Sequence, residues 1–168
     1  MDIFIAKLSL FILLGSVNGI SIENIESVCD DIEYLILDSP NRNAETGEYA
    51  DLCDVETTWS KSPDWHGPGW YRMKEPAGTV MPEHPINVNQ CGTYSPGYLN
   101  GTHPEEIGEM VKRKVCFNFE GHYDDPIHKN PPICHRNLDI EIKNCGDFYL
   151  YNLPETGNCP MAYCSIIQ

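Results

Sequence analysis

Alternation between apolar and polar side chains is clearest toward the C-terminal end of the chain. In Leu138-Asp139-Ile140-Glu141-Ile142-Lys143 every second residue is apolar. That period of two predicts a strand with Leu138, Ile140 and Ile142 turned inward. Asn144-Cys145-Gly146-Asp147 then reads as a tight turn, and residues 148–153 as the returning strand, so the pair predicts a hairpin. Residues 114–119 alternate in the same way, with Val115, Phe117 and Phe119 on one face. Residues 69–73 and 86–90 are two further predicted strands. Thr102-His103-Pro104-Glu105 has the form of a capping box and predicts a short helical turn ended by Gly108.

The opening third admits two readings. Ile22, Ile25, Val28, Ile32 and Leu35 recur at helical spacing, yet residues 32–37 fit a strand equally well. Asp38-Ser39-Pro40-Asn41 is a turn sequence, and residues 38–51 read as a polar loop. From Trp59 onward proline and glycine are dense, which disfavours long helices and favours short strands joined by turns. The fold expected is therefore β-rich, all-β or α+β, with short antiparallel strands and one or two short helical turns.

An apolar run over residues 3–14, followed by Val17-Asn18-Gly19, has the pattern of a leader removed on export, although Asp2 stands where a positive charge is usual. The run is shorter than the roughly 20 residues that span a bilayer. The tail Ser165-Ile166-Ile167-Gln168 is too short for an anchor. The expected organisation is a signal peptide at 1–19 and one secreted domain at 20–168, with its core at 29–164.

Composition adds two exclusions. Hydrophobic residues make up 41% of the chain, too many for a disordered one. The formal net charge of −14 repels nucleic acid and anionic lipid heads, so neither is an expected partner.

The eight cysteines, Cys29, Cys53, Cys91, Cys116, Cys134, Cys145, Cys159 and Cys164, all follow the leader. An even count in an exported chain predicts four disulfides. Spacing leaves on the order of a hundred pairings open. Zinc is the rival reading, but no Cys-x2-Cys occurs, Cys134 and His135 are adjacent, and the six histidines are scattered. No metal and no cofactor is expected.

Long motifs narrow the choice. PGWYRM (68–73), AGTVMPE (77–83), CGTYSPGYLNGTHP (91–104), VKRKVCFNF (111–119) and EIKNCGDFYLYNLPETGNCPMAYC (141–164) stand in one order. Together they resemble the eight-cysteine domain of the family of uromodulin and the pancreatic zymogen-granule membrane glycoprotein, from about Cys29 to Cys164. The resemblance implies the pairs Cys29–Cys145, Cys53–Cys159, Cys91–Cys164 and Cys116–Cys134. An additional bridge of some relatives would fall at Pro85 and Ile133, so both of its cysteines are absent. Relatives carry the domain ahead of a polymerising module, often beside EGF-like repeats. The chain closes four residues after Cys164, so filament formation and anchoring are not expected to carry over. A free-standing domain and a fragment of a larger mosaic protein are both open.

Asn100-Gly101-Thr102 is an N-glycosylation acceptor. The resemblance places a sequon here and, in uromodulin-like relatives, a glycan that baits bacterial adhesins at the position of Asn152. Asn152-Leu153-Pro154 is not a sequon. Trp59, Trp65, Trp70, Tyr71, Tyr94 and Tyr98 are expected to fill a core rather than to stack on sugars. His122, Tyr123, Asp124, Asp125 and His128 read as a surface loop, since they lack the alternating acids and central glycine of a calcium loop. No hydrolase, metalloprotease or phosphate-loop motif is present, so no catalytic residue is assigned. The function expected is a secreted, non-catalytic binding module in host defence or matrix. Its partner would be an extracellular protein or glycan. The alternative is a secreted enzyme or enzyme inhibitor.

Overall fold

The computed structural model describes residues 28–56, 62–119 and 134–168. In chain order its strands are β1 (Leu35–Leu37), β2 (Gly69–Met73), β3 (Ser95–Asn100), β4 (Met110–Phe117), β5 (Arg136–Asn144), β6 (Tyr149–Leu153) and β7 (Met161–Tyr163). They form one sheet in the order β1-β2-β6-β5-β4-β3-β7. β1 pairs with β2 and β3 with β7 in parallel, and the other neighbours are antiparallel. The fold is β-rich. Pro40–Arg42 form a 3-10 turn between β1 and β2.

The predicted hairpin is β5–β6. Ile142 lies opposite Tyr151 and Asn144 opposite Tyr149. Ile140 and Ile142 are buried and Leu138 packs against the same cluster, so the alternation does mark the inner face. β4 extends the hairpin on its other side, with Val115 and Phe117 buried and Lys112 and Lys114 exposed. The strand ends at Phe117, and Phe119 packs against the core from beyond it. Each fully buried side chain of this size stabilises the fold by about 1.5–3 kcal/mol.

The sheet curls until its outermost strands meet around the core. Leu37 of β1 and Tyr163 of β7 belong to one apolar cluster with Tyr71, Leu99, Phe117, Ile142 and Tyr151. Trp65 stacks on Tyr71 at 4.9 Å and lies 5.8 Å from Tyr163, bridging the two edges. β3 can sit between β4 and β7 because residue 97 is glycine. A Cβ there would lie 2.7 Å from the Phe117 ring and 3.0 Å from the Ala162 carbonyl oxygen.

Three expectations give way to tertiary contacts. Residues 86–90 form a turn, not a strand: Gln90 N–H donates to the Asn87 carbonyl, and the Gln90 side chain accepts from Asn87 N–H. Asn89 has a φ of 65°, and Ile86 is the buried residue of the group. The capping box at Thr102 starts no helix. His103 N–H donates to Glu83, Thr102 carbonyl accepts from Arg113, and Pro104 and Glu105 carbonyls accept from Asn144. With these groups bonded to distant residues, a bend suffices. The loop at 38–51 is polar in sequence but buries Arg42, Asn43 and Ala44. Of the undecided residues 32–37, the last three form a strand, because Leu37 is drawn into the core beside Met73.

Candidate functional site

The cysteines meet in four pairs. Cys29–Cys145, Cys53–Cys159, Cys91–Cys164 and Cys116–Cys134 have Cα atoms 5.8, 5.2, 5.7 and 4.9 Å apart, within the range a disulfide spans. The first ties the N-terminal segment to the β5–β6 turn. The second and third tie residues 53 and 91 to the two ends of β7, and the fourth closes the connection from β4 to β5. Loops of 116 and 106 residues are closed by the first two, and each such bond restricts the unfolded chain by about 5 kcal/mol. Four bridges persist in an oxidising compartment, so this is an extracellular domain.

Two buried polar clusters hold the scaffold. In the first, the Arg42 guanidinium is fully buried between two carboxylates. Nη1 and Nη2 donate to Asp54 at 2.8 Å each, and Nη2 donates to Asp64 at 2.7 Å. Nη1 also donates to the Tyr163 carbonyl oxygen at 3.1 Å, while Asp54 accepts from Tyr163 N–H at 2.8 Å. Burial works against the Arg42 charge, but attraction and hydrogen bonds to Asp54, then to Asp64, raise its pKa. Burial likewise opposes the Asp64 charge, and Arg42 outweighs it, so the Asp64 pKa is lowered. The cluster joins the segment after β1 to β7 and so fastens the two edges of the sheet.

The second cluster stands behind the sequon. His103 Nδ1 lies 2.5 Å from Glu83 Oε1, and Nε2 lies 2.8 Å from the Tyr151 hydroxyl. That hydroxyl also accepts from Met81 N–H at 3.1 Å. In the neutral imidazole Nδ1 carries the proton and donates it to Glu83, and Nε2 accepts from the Tyr151 hydroxyl. Burial lowers the His103 pKa against the opposing pull of Glu83. The Tyr151 hydroxyl is fully buried and its pKa raised. The chain of bonds resembles an acid–base relay, but its tyrosine end meets no solvent.

Asn100, the asparagine of the sequon, ends β3 and is exposed. It lies opposite Lys114 on the outer face of the sheet. On that face Lys114 Nζ donates to Asp139 at 2.7 Å. One step along, Lys112, Glu141, Asn152 and Trp70 stand side by side on β4, β5, β6 and β2. Lys112 Nζ is 3.9 Å from Glu141, and Asn152 Nδ2 donates to Glu141 at 3.3 Å. Lys112, Asp139, Glu141 and Asn152 line a shallow groove with Pro68 and Pro154.

Of the aromatic stretch, Trp65, Tyr71 and Tyr98 are buried, and Trp70 and Tyr94 half-buried. Trp59, the His122–His128 cluster and the leader lie outside the described residues. Sequence reading missed the buried clusters, because their members are distant in the chain. One signal was available for Arg42: it is the sole cation among nine acids between residues 28 and 56.

The family model of the uromodulin-like domain with eight cysteines matches residues 71–165. Pancreatic secretory granule membrane major glycoprotein GP2 of Canis lupus familiaris is 32% identical over 133 residues, covering 79% of this chain and 22% of that protein. Uromodulin of Rattus norvegicus is 34% identical over 119 residues, covering 70% of this chain and 17% of that protein. Uromodulin of Mus musculus is 36% identical over 98 residues, covering 58% of this chain and 14% of that protein. The chain thus spans about a fifth of the length of the curated relatives it matches. The match covers most of the sheet and six of its seven strands at least in part, and the chain belongs to the uromodulin-like family of eight-cysteine domains.

Proposed function

We propose that this chain is a non-catalytic extracellular interaction module that recognises a protein or a glycan, in host defence or matrix. The observation that carries the reading is where its reactive side chains are. All eight thiols are bridged. The Arg42 cluster is closed on itself inside the sheet, and in the His103 cluster only Glu83 reaches the surface while His103 and Tyr151 are buried, whereas a catalytic site needs convergent polar groups that a substrate can reach. One relative is named as a major glycoprotein of the pancreatic secretory granule membrane. Residues 1–19 act as a leader, residues 20–168 form the mature domain, and Asn100 carries a glycan. The net charge of −14 speaks against nucleic acid as partner. Among the described residues no helix is long and apolar enough to cross a membrane.

Secreted protein is the material for the test. Its N-terminal residue is expected to be Ile20, and glycosidase treatment is expected to lower its mass unless Asn100 is replaced by Gln. Non-reducing peptide mapping is expected to return the four pairs given above. The oxidised domain, presented to extracellular proteins and a glycan array, is expected to bind a discrete partner without turning it over. Hydrolysis of an ester, peptide or glycoside substrate that survives purification would overturn the reading.

A further inference from the structure

We infer that the groove on the outer face of β4, β5 and β6 is a binding site for a neutral oligosaccharide. This deepens the interaction-module reading and rests on it.

Side chains directly opposite in antiparallel strands point to the same side of a sheet. Lys112, Glu141, Asn152 and Trp70 are such neighbours across β4, β5, β6 and β2. Lys112, Glu141 and Asn152 present an ammonium, a carboxylate and a carboxamide in one line along the groove, while Trp70 packs against the Cys29–Cys145 cluster. Two steps of about 4.8 Å make the line about 10 Å long, the reach of a disaccharide. The groove holds about 340 Å³, at the small end of the range for ligand sites.

The chemistry of the lining favours a sugar over other ligands of that size. Vicinal hydroxyls both donate and accept, and they need planar groups that answer in pairs. The Glu141 carboxylate and the Asn152 carboxamide do so, already tied to each other at 3.3 Å and thus held in place. A sugar ring also has C–H faces, for which Pro68 and Pro154 supply apolar wall. Charge in the groove is balanced: Lys114 answers Asp139, and Lys112 stands 3.9 Å from Glu141. A balanced groove on a chain of net charge −14 disfavours sialylated or sulfated ligands. Asn152-Leu153-Pro154 is not a sequon, so no glycan attached at Asn152 fills the space.

The test titrates the secreted, oxidised protein, freed of its own glycan, with N,N′-diacetylchitobiose, mannotriose and lactose, and with sialyllactose as the charged comparison. Binding of a neutral sugar is expected, with shifts in the amide resonances of Lys112, Glu141 and Asn152. Glu141→Ala and Asn152→Ala are each expected to weaken it about tenfold or more, since each leaves hydroxyls unpaired. Their melting temperatures should stay close to that of the parent. Asp147→Ala, in the exposed β5–β6 turn, is expected to change nothing. If none of the neutral sugars binds, or if both groove variants bind as the parent does, the assignment is overturned. Capture of an extracellular protein unaffected by Glu141→Ala, with no sugar binding, would remove the groove and leave the interaction module. If no protein or sugar of any kind binds, both readings fall.

Discussion

Two regions of this domain reach order by opposite routes. The three strands β4, β5 and β6 are sequence neighbours and antiparallel, and β5 alternates apolar with polar residues along its length. The described residues 38–56 and 62–65 have almost no regular structure beyond the 3-10 turn at Pro40–Arg42, yet they contain a fully buried ion pair, Arg42 with Asp54. The first region is held by ladder bonds and by one apolar face. The second is held by Arg42, Asp54 and Asp64 and by the Cys53–Cys159 bridge, which reach across 12, 22 and 106 positions of sequence. Order in a β-protein therefore does not require strands. A loop is equally fixed when its polar groups are bonded inside the core, but it is then far more sensitive to loss of any one partner.

That contrast predicts a ranking of damage. Replacing both Cys53 and Cys159 by Ser is expected to cost about 5 kcal/mol, against about 3 kcal/mol for Cys116 and Cys134, whose loop is short. Chemical denaturation of both variants checks the order, and equal losses would contradict the loop-length argument. Arg42→Ala comes next. It leaves two carboxylates buried without a counter-charge, at a cost of about 3–5 kcal/mol. An Arg42→Ala protein that melts with the parent would show the triad to be incidental. In the strand region, Ile142→Ala is expected to cost about 2–5 kcal/mol through the cavity it opens, with the ladder around it intact by hydrogen exchange.

Smaller effects separate the regions by pH. The unfolded chain binds a proton at His103 below about pH 6.5, while burial holds the folded imidazole neutral to lower pH. Its contribution to stability is complete above that pH and is lost as pH falls toward the depressed folded value. Stability measured from pH 8 down to pH 5 should fall more steeply for the parent than for His103→Gln. Parallel curves would refute the neutral, Nδ1-protonated assignment. Asp64 is lowered in the same sense and acts in a more acidic window, so its contribution disappears below the ordinary carboxylate range. At the bottom of the scale, Lys114→Ala removes an exposed pair with Asp139 and is expected to cost less than about 1 kcal/mol.

The two regions were also unequally legible. The β5–β6 hairpin was visible because period-two alternation and a four-residue turn are local signals, each complete within a dozen residues. The same local method failed at residues 86–90 and at Thr102. There the backbone groups that a strand or helix would have used are bonded to a turn of their own or to Glu83, Arg113 and Asn144. Of the candidate site, Asn100 could be marked from three adjacent letters. The row formed by Lys112, Glu141, Asn152 and Trp70 could not, since its members become neighbours only when the register of four strands is known.

Sequence alone determined the β-rich class, the inward faces of β4 and β5, the even set of thiols and the acidic net charge. These depend on composition and on contacts close in the chain. Which residues were buried as ions, how the edge strands were brought together, and which side chains share the outer groove were decided by tertiary structure. The physical reason is distance. A buried Arg42 is stable only where Asp54 and Asp64 meet it, and nothing in the residues beside it states that they will.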